Sequence, residues 1–400
     1  MSAAPSKPAT HAPRQVLYIA PDRPWARWTN SGVSLEIATR LQQQGLLYGA
    51  LSRYDTDLSG LHGPNHFRML WDKVAFRLRG KRQDPTKASR EWRSEREGVI
   101  GQLLRTLPAG TAVLYHYVVP ELDLSLPIRR FLFQDMTPED GVQGGGFGYD
   151  KKTPDEVRAI HDHHARTYPH IEGVVSFASF VAESLARHYA FPREKVFAIG
   201  AGPIRTLPAM PPQSVDRYAA RRILFVGRAW ERKGGPIVLE AFEHVRSAYA
   251  DATLTVVSSL AKFDPRPGVT HIPFASDDQL RNLFSTSSVF TMPSLCETWG
   301  LVYCEAAAHA LPTANFDNWA LPDIVEHGKT GVLTPTHTAR GLADALIDAL
   351  RDPNRLREMG AGAAHRVHTV LDWPHVMDRL LAAVAPEALH GRTPVWMRPR

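Results

Sequence analysis

The chain has 400 residues, 44% hydrophobic and 22% charged, with a formal net charge of +6. That length suits two or three domains of a soluble globular protein. No apolar run reaches the roughly 18 residues that cross a bilayer, the start of the chain lacks the apolar segment of a secretory leader, and Cys296 and Cys304 are too few for a disulfide framework or a structural zinc site.

The positive charge favours anionic partners in general: nucleotides, phospholipid surfaces or nucleic acid. There is no zinc-finger spacing, RNA-binding aromatic motif or long basic arm, so nucleic acid is not an expected partner. Cysteine usage and the lack of a leader point to the cytoplasm.

Residues 1–14 read as a disordered arm. Gln15 to Ala20 reads as a strand, followed by a polar loop to Gly32 and a helix from Val33 to Gln44. Ser31 is the expected N-cap, and Gly32 permits close backbone approach. Strand, glycine-containing loop and helix open a doubly wound domain, but the G-x-G-x-x-G of nicotinamide-binding folds is absent. Asp55-Thr56-Asp57 has the Asp-x-Asp form of a metal-binding motif, without the context such a motif needs.

Residues 67–96 stand apart. Phe67, Leu70, Trp71, Val74, Ala75 and Leu78 fall at helical spacing, with Arg68, Lys73, Arg77, Arg79, Lys81 and Arg82 around them. Two readings stay open: an amphipathic helix packed on its own domain, or one lying on an anionic membrane surface. The second would make the protein peripheral on the inner face of the membrane.

Further strands are expected at Thr111 to Val119, Arg130 to Phe133, Ile171 to Phe177 and Lys195 to Ile199. Gln134-Asp135 follows the second of these. Gly141 to Gly148 reads as a glycine-rich loop without the Lys-Ser/Thr of a phosphate-binding loop, a candidate lid. His161-Asp162-His163-His164 lies in a helical stretch, where neighbouring side chains diverge, so metal binding is not expected. Pro203 to Gln213 carries four prolines and reads as a stiff linker.

The pattern then restarts. Arg222 to Val226 is a strand, Gly227 to Gly235 a polar loop, and Pro236 sits at a helix start. The expected organisation is an α/β fold of two doubly wound halves: residues 15–202, a linker at 203–220, residues 221–371, a last helix at 372–390 and a tail at 391–400. Parallel sheets bind ligands at the carboxyl ends of their strands, and a cleft between two facing domains is the default site.

The stretch from Met292 to Pro312 focuses that expectation. A short strand ends at Pro293, and an alanine-rich helix from Leu301 to Ala310 is stopped by Pro312. Glu297 and Glu305, eight positions apart, bracket the helix start. The first turn of a helix draws anions through its free N–H groups and dipole. Two carboxylates flanking it suit hydroxyls instead, such as the sugar and ribose of a nucleotide sugar whose phosphates lie between them. A plain capping loop with a solvated helix glutamate is the alternative. Arg228 and Lys233, on the loop after the Arg222 strand, stand at the same sheet end and supply cations for a diphosphate.

Gly227-Arg228, Lys233-Gly234, Pro293-Ser294, Glu297, Gly300-Leu301 and Glu305-Ala306, with Pro322-Asp323-Ile324-Val325, Gly328 and Gly331, together resemble the carboxyl-terminal half of glycosyltransferase family 4. The resemblance covers about residues 222–381 well and is weaker before that. It implies the GT-B fold: two Rossmann-like domains with a last helix that crosses back to the first. It further implies a retaining hexosyltransferase that needs no metal and no cofactor. The donor would be a nucleotide-diphosphate sugar, the acceptor a glycan, lipid-linked or small molecule.

Carried over, Arg228 and Lys233 hold the diphosphate, helped by the backbone at Trp299, Gly300, Leu301 and Val302. Glu297 contacts the donor sugar, and Glu305 holds the ribose. Glu297, Arg228 and Lys233 are then the catalytic set. The Ser31-Gly32 loop closes on the diphosphate, and Ser31, Gln134 and Asp135 face the acceptor.

The sequence departs from the family on that side. Gly32 lacks a neighbouring glycine, Gln134-Asp135 stands where a histidine is common, and Gly200-Ala201-Gly202-Pro203 replaces Asn-Gly. A nucleotide-sugar epimerase of similar fold, or a non-catalytic glycan- or partner-binding subunit, are the competing readings.

Overall fold

The computed structural model describes residues 15–21, 24–25, 29–52, 61–62, 98–117, 126–205 and 214–389. The basic stretch 67–96, Asp55-Thr56-Asp57 and most of the proline-rich segment lie outside these residues. The chain forms two compact units. One holds the described residues up to Phe133 with His170–Gly173 and residues 380–389; the other holds Gln134–Pro169 and Val174–Arg379.

Twelve strands are named among the described residues. In chain order they are β1 Val16–Ala20, β2 Leu47–Ser52, β3 Ala112–His116, β4 Arg129–Phe133, β5 Gly173–Ser176, β6 Val196–Ala198, β7 Arg222–Val226, β8 Thr253–Val257, β9 Val269–Ile272, β10 Val289–Phe290, β11 Thr313–Phe316 and β12 Gly331–Thr334. They make two six-stranded parallel sheets, ordered β2-β1-β3-β4-β5-β6 and β12-β11-β10-β7-β8-β9. In each order the chain reverses direction across the sheet once, the doubly wound pattern that the alternating strands and helices predict.

β1 (VLYIA) and β3 (AVLYH) are buried along their whole length. Unbroken apolar runs of this kind belong to parallel strands covered on both faces. In the second sheet, β7 lies between β10 and β8. The helices Gly235–Ala248 and Ala339–Arg351 pack together. The first buries Val238, Leu239, Ala241, Phe242 and Val245, and the second Leu342, Ala345, Leu346, Ala349 and Leu350. Proline has no N–H for a ladder, so β10 can run no further than the residues before Pro293.

Three local expectations are corrected. Ser31 does not cap the helix Val33–Gln43; Gly32 holds that position at φ 91° without a side-chain cap. A glycine is needed there because the backbone is left-handed. The supposed glycine-rich loop begins as a helix, Pro138–Gly144. Thr137 and Asp140 form a reciprocal capping box with Pro138 in the first turn, a start signal strong enough to carry the following glycines. The helix after Gly300 ends at Ala308, before the proline, because Ala310 turns left-handed at φ 51°.

The histidine run lies, as expected, within one helix, Pro154–Thr167. His161 Nδ1 meets the Glu139 carboxylate at 2.6 Å, and its ring stacks on Tyr189. No group of three His, Cys, Asp or Glu among the described residues is placed to share a metal ion. No described helix is long and apolar enough to cross a membrane.

Candidate functional site

The site is assembled from two loops at the carboxyl end of the second sheet, after β7 and after β10. The first loop turns back on itself. Gly227 closes against the Lys233 side chain, where a Cβ would stand 3.1 Å from Lys233 Cβ. Lys233 N donates to Ala229 O at 2.8 Å, and Gly235 N to Trp230 O at 2.9 Å. Trp230 is buried against Phe225 and Phe263 and anchors the turn.

The two loops are stitched together. Gly234, at φ 73°, brings its backbone so close to Pro293 that a Cβ would fall 2.1 Å from the carbonyl oxygen. Leu295 N donates to Arg232 O at 2.8 Å, and Arg232 Nη1 donates to Cys296 O at 2.6 Å. Asn315, from β11, accepts from Met292 N at 2.8 Å and fixes the start of the second loop. The Pro138–Gly144 helix supports it from another side. A Cβ on Gly144 would meet Cys296 Sγ at 2.4 Å. Arg232 also lies over the Phe147 ring, 4.5 Å from its centroid.

This stitching brings Lys233 and Glu297 into a buried ion pair. Only 5% of the Glu297 side chain and 13% of the Lys233 side chain remain exposed. Ser294 Oγ donates to the same Glu297 oxygen at 3.1 Å. A lysine ammonium has three donors, so the pair leaves Lys233 capacity for an incoming anion. Arg228 is exposed and bonds to no described side chain or backbone group, leaving its guanidinium available.

Gly300 caps the helix Leu301–Ala308 at φ 84° without any side-chain cap. A Cβ there would lie 2.7 Å from the Tyr303 ring and 3.1 Å from Glu297 Cδ, so only glycine fits between them. Trp299 is buried and donates from Nε1 to Ala201 O at 2.9 Å, which holds the loop ahead of the helix. Leu301 and Val302 are half-buried. Their N–H groups lie in the first turn, where no intrahelical acceptor exists. Here Lys233, Glu297 and the positive start of the helix Leu301–Ala308 adjoin one another.

Glu305 has a partner that was not anticipated. Arg205 Nη1 donates to Glu305 Oε2 at 2.5 Å, while Arg205 Nε donates to Asp277 Oδ1 at 3.0 Å. Glu305 is 7% exposed. Burial pushes its carboxyl above the usual value, and the Arg205 charge opposes that rise. Arg205 falls in the proline-rich stretch that reads as linker, so only its charge could have marked it.

The acceptor-side candidates separate. Gln134 and Asp135 are buried. Gln134 spends its amide on Met136 O at 2.9 Å and accepts from the Tyr168 hydroxyl at 2.6 Å. Ser31, exposed, and Gly32, buried, belong to the other compact unit, on the turn Thr29–Gly32. In that unit the sequence reading passed over His116, which is buried at the carboxyl end of β3 with Nδ1 2.8 Å from the Tyr18 hydroxyl.

Residues 220–352 match the family described as Glycosyl transferases group 1. A D-inositol 3-phosphate glycosyltransferase of Streptomyces bingchenggensis is 29% identical over 241 residues, covering 52% of this chain and 51% of the relative. The chain thus spans about half the length of the curated relatives it matches. Among solved structures, sucrose-phosphate synthase from Thermosynechococcus elongatus superposes with a TM-score of 0.64 at 16% identity, over 95% of this chain and 100% of that one. Anabaena HepE, solved with UDP and glucose, gives a TM-score of 0.58 at 11% identity over 93% and 100%. The fold is the two-domain, Rossmann-like GT-B fold of glycosyltransferases, and the resemblance drawn from the Gly227 to Ala306 motifs holds.

Proposed function

From a chain that carries the glycosyl transferases group 1 signature over residues 220–352, we propose a retaining glycosyltransferase. It moves a sugar from a nucleotide-diphosphate donor to a glycan, lipid-linked or small-molecule acceptor. The observation that carries this reading is the Lys233–Glu297 ion pair set against the uncapped helix start at Gly300, with Arg228 exposed nearby in the chain.

In this reading the diphosphate lies across the first turn of the helix Leu301–Ala308. The N–H groups of Gly300, Leu301 and Val302, Lys233 and Arg228 take its charge. These fixed donors do without a metal ion or other cofactor. The bond from the anomeric carbon to the phosphate oxygen breaks, and the acceptor oxygen bonds to that carbon on the same face. The departing phosphate oxygen takes the acceptor proton. Charge grows on the diphosphate as the bond breaks, so preplaced cations lower the barrier as well as bind. Glu297, held by Lys233 and Ser294, accepts from donor sugar hydroxyls, and Glu305 from the ribose. Ser31, Gln134 and Asp135 remain assigned to the acceptor side.

UDP is the first donor nucleotide to test, since HepE was solved with UDP and glucose. The Streptomyces relative carries a glycosyltransferase name and the Thermosynechococcus structure a synthase name, and neither favours an epimerase. Incubation with UDP-, GDP-, ADP- and dTDP-sugars, with and without saccharide acceptors, should release free nucleotide from at least one donor, and NMR of the product should show the donor's anomeric configuration. Silence with every donor would overturn enzyme function, and an inverted product would overturn retention.

The basic stretch 67–96 would bring such an enzyme to the inner membrane surface, its clustered Arg and Lys meeting anionic headgroups. Flotation with phosphatidylglycerol vesicles should show binding that weakens with salt and with charge reversal at Arg77, Arg79 and Lys81. Binding indifferent to both would refute it.

A further inference from the structure

We infer that Arg205 is a positioning residue of the donor site: it clamps one oxygen of the Glu305 carboxylate and leaves the other to the ribose hydroxyls. This rests on the reading of Glu305 as the ribose ligand.

The geometry is a three-member relay. Asp277, the first residue of the helix Asp277–Thr286, holds Arg205 Nε at 3.0 Å. Arg205 Nη1 in turn holds Glu305 Oε2 at 2.5 Å. Glu305 Oε1 accepts from no described residue and is not an enclosed atom without a partner. One carboxylate oxygen is therefore fixed and the other open. Below it, His309 Nδ1 meets the Glu305 backbone oxygen at 2.8 Å and secures the end of the helix.

A purely stabilising role does not account for this arrangement. Enclosing a carboxylate carries a desolvation cost that a single ion pair barely offsets, and apolar residues of similar size usually do better. Asp277 and Arg205 are 67% and 40% exposed in their side chains, while Glu305 is 8% exposed. The relay thus uses two exposed residues to hold one buried acceptor in a single orientation. It also sets a cation beside Glu305, which offsets the repulsion between that carboxylate and an arriving diphosphate.

The test compares ribose with its deoxygenated form. UDP, GDP and ADP, and the 2′,3′-dideoxy analogue of whichever binds most tightly, are titrated calorimetrically into the wild type, Arg205→Ala, Arg205→Lys and Arg205→Gln. The wild type should prefer the ribonucleotide by about 10-fold or more, the span of one charge-assisted hydrogen bond. Arg205→Ala and Arg205→Gln should lose most of that preference, and Arg205→Lys should recover part of it. The preference is a ratio within one variant, so a loss of folded protein does not imitate it.

A wild-type preference that survives in Arg205→Ala and Arg205→Gln would overturn the role of Arg205 and leave Glu305 standing. Equal binding of both nucleotides by the wild type, or no binding of any, would instead remove the Glu305 assignment on which the inference rests.

Discussion

Lys233 and Glu297, which lie on different loops and 64 positions apart in the chain, form a buried ion pair with Ser294 as a third member. Glu297 is buried, Lys233 is largely so, and each charge depends on the other. Removing one partner strands a buried charge, at a typical cost of about 3–5 kcal/mol. Lys233→Ala and Glu297→Ala should each lower the urea midpoint sharply. The double variant Lys233→Ala with Glu297→Ala should lose less than the two single losses combined. Strictly additive losses would show that the two side chains do not interact in solution.

Arg228 offers the contrasting case. It is exposed and bonds to no described residue, so Arg228→Ala should leave the melting temperature within about 1–2 °C of wild type. Its effect should fall on turnover: kcat should drop at least as far as KM rises, because leaving-group charge peaks in the transition state. A change confined to KM would make Arg228 a ground-state binding residue.

Gly234 is the tightest point between the two loops. Alanine there meets both a left-handed backbone, at about 1–2 kcal/mol, and the Pro293 carbonyl 2.1 Å from its Cβ. Gly234→Ala should therefore destabilise the fold and reduce donor turnover together, read by thermal melting and nucleotide release. A variant that keeps wild-type stability would show that the loops are not pressed together as described.

His164 predicts an acid limit on stability. Burial, aided by His163, pushes its pKa from 6.5 down to about 4. The unfolded chain therefore takes up this proton before the folded one does. Stability is lost as pH falls from 6.5 towards 4 and levels off below, by up to about 3 kcal/mol. His164→Gln should flatten the melting-temperature profile over that window. A profile of unchanged steepness would mean that His164 titrates normally.

The parallel strands were readable because their apolar runs are short and unbroken, as in Ile223 to Val226, which Gly227 ends. The site loops were readable because Arg228, Lys233, Glu297, Gly300 and Glu305 each sit a fixed distance beyond a strand or a helix start. Arg205 was not, since its role depends on Asp277 and Glu305, 72 and 100 positions away. The helix Pro138–Gly144 was passed over because its glycines weigh against a helix, whereas the capping box at Thr137 and Asp140 decides the local balance. The buried pair of Tyr18 and His116, 98 positions apart, likewise needs the sheet to exist before it can be seen.

The central claim is that the loops after β7 and β10 bind a nucleotide-sugar donor, with Glu305 on the ribose. Calorimetric titration of UDP, GDP and ADP into the wild type and Glu305→Ala tests it most directly. Losing a charge-assisted contact of about 1.5–3 kcal/mol should weaken the best-bound nucleotide roughly 10- to 150-fold. Affinity unchanged in Glu305→Ala, or no binding by the wild type, would contradict it.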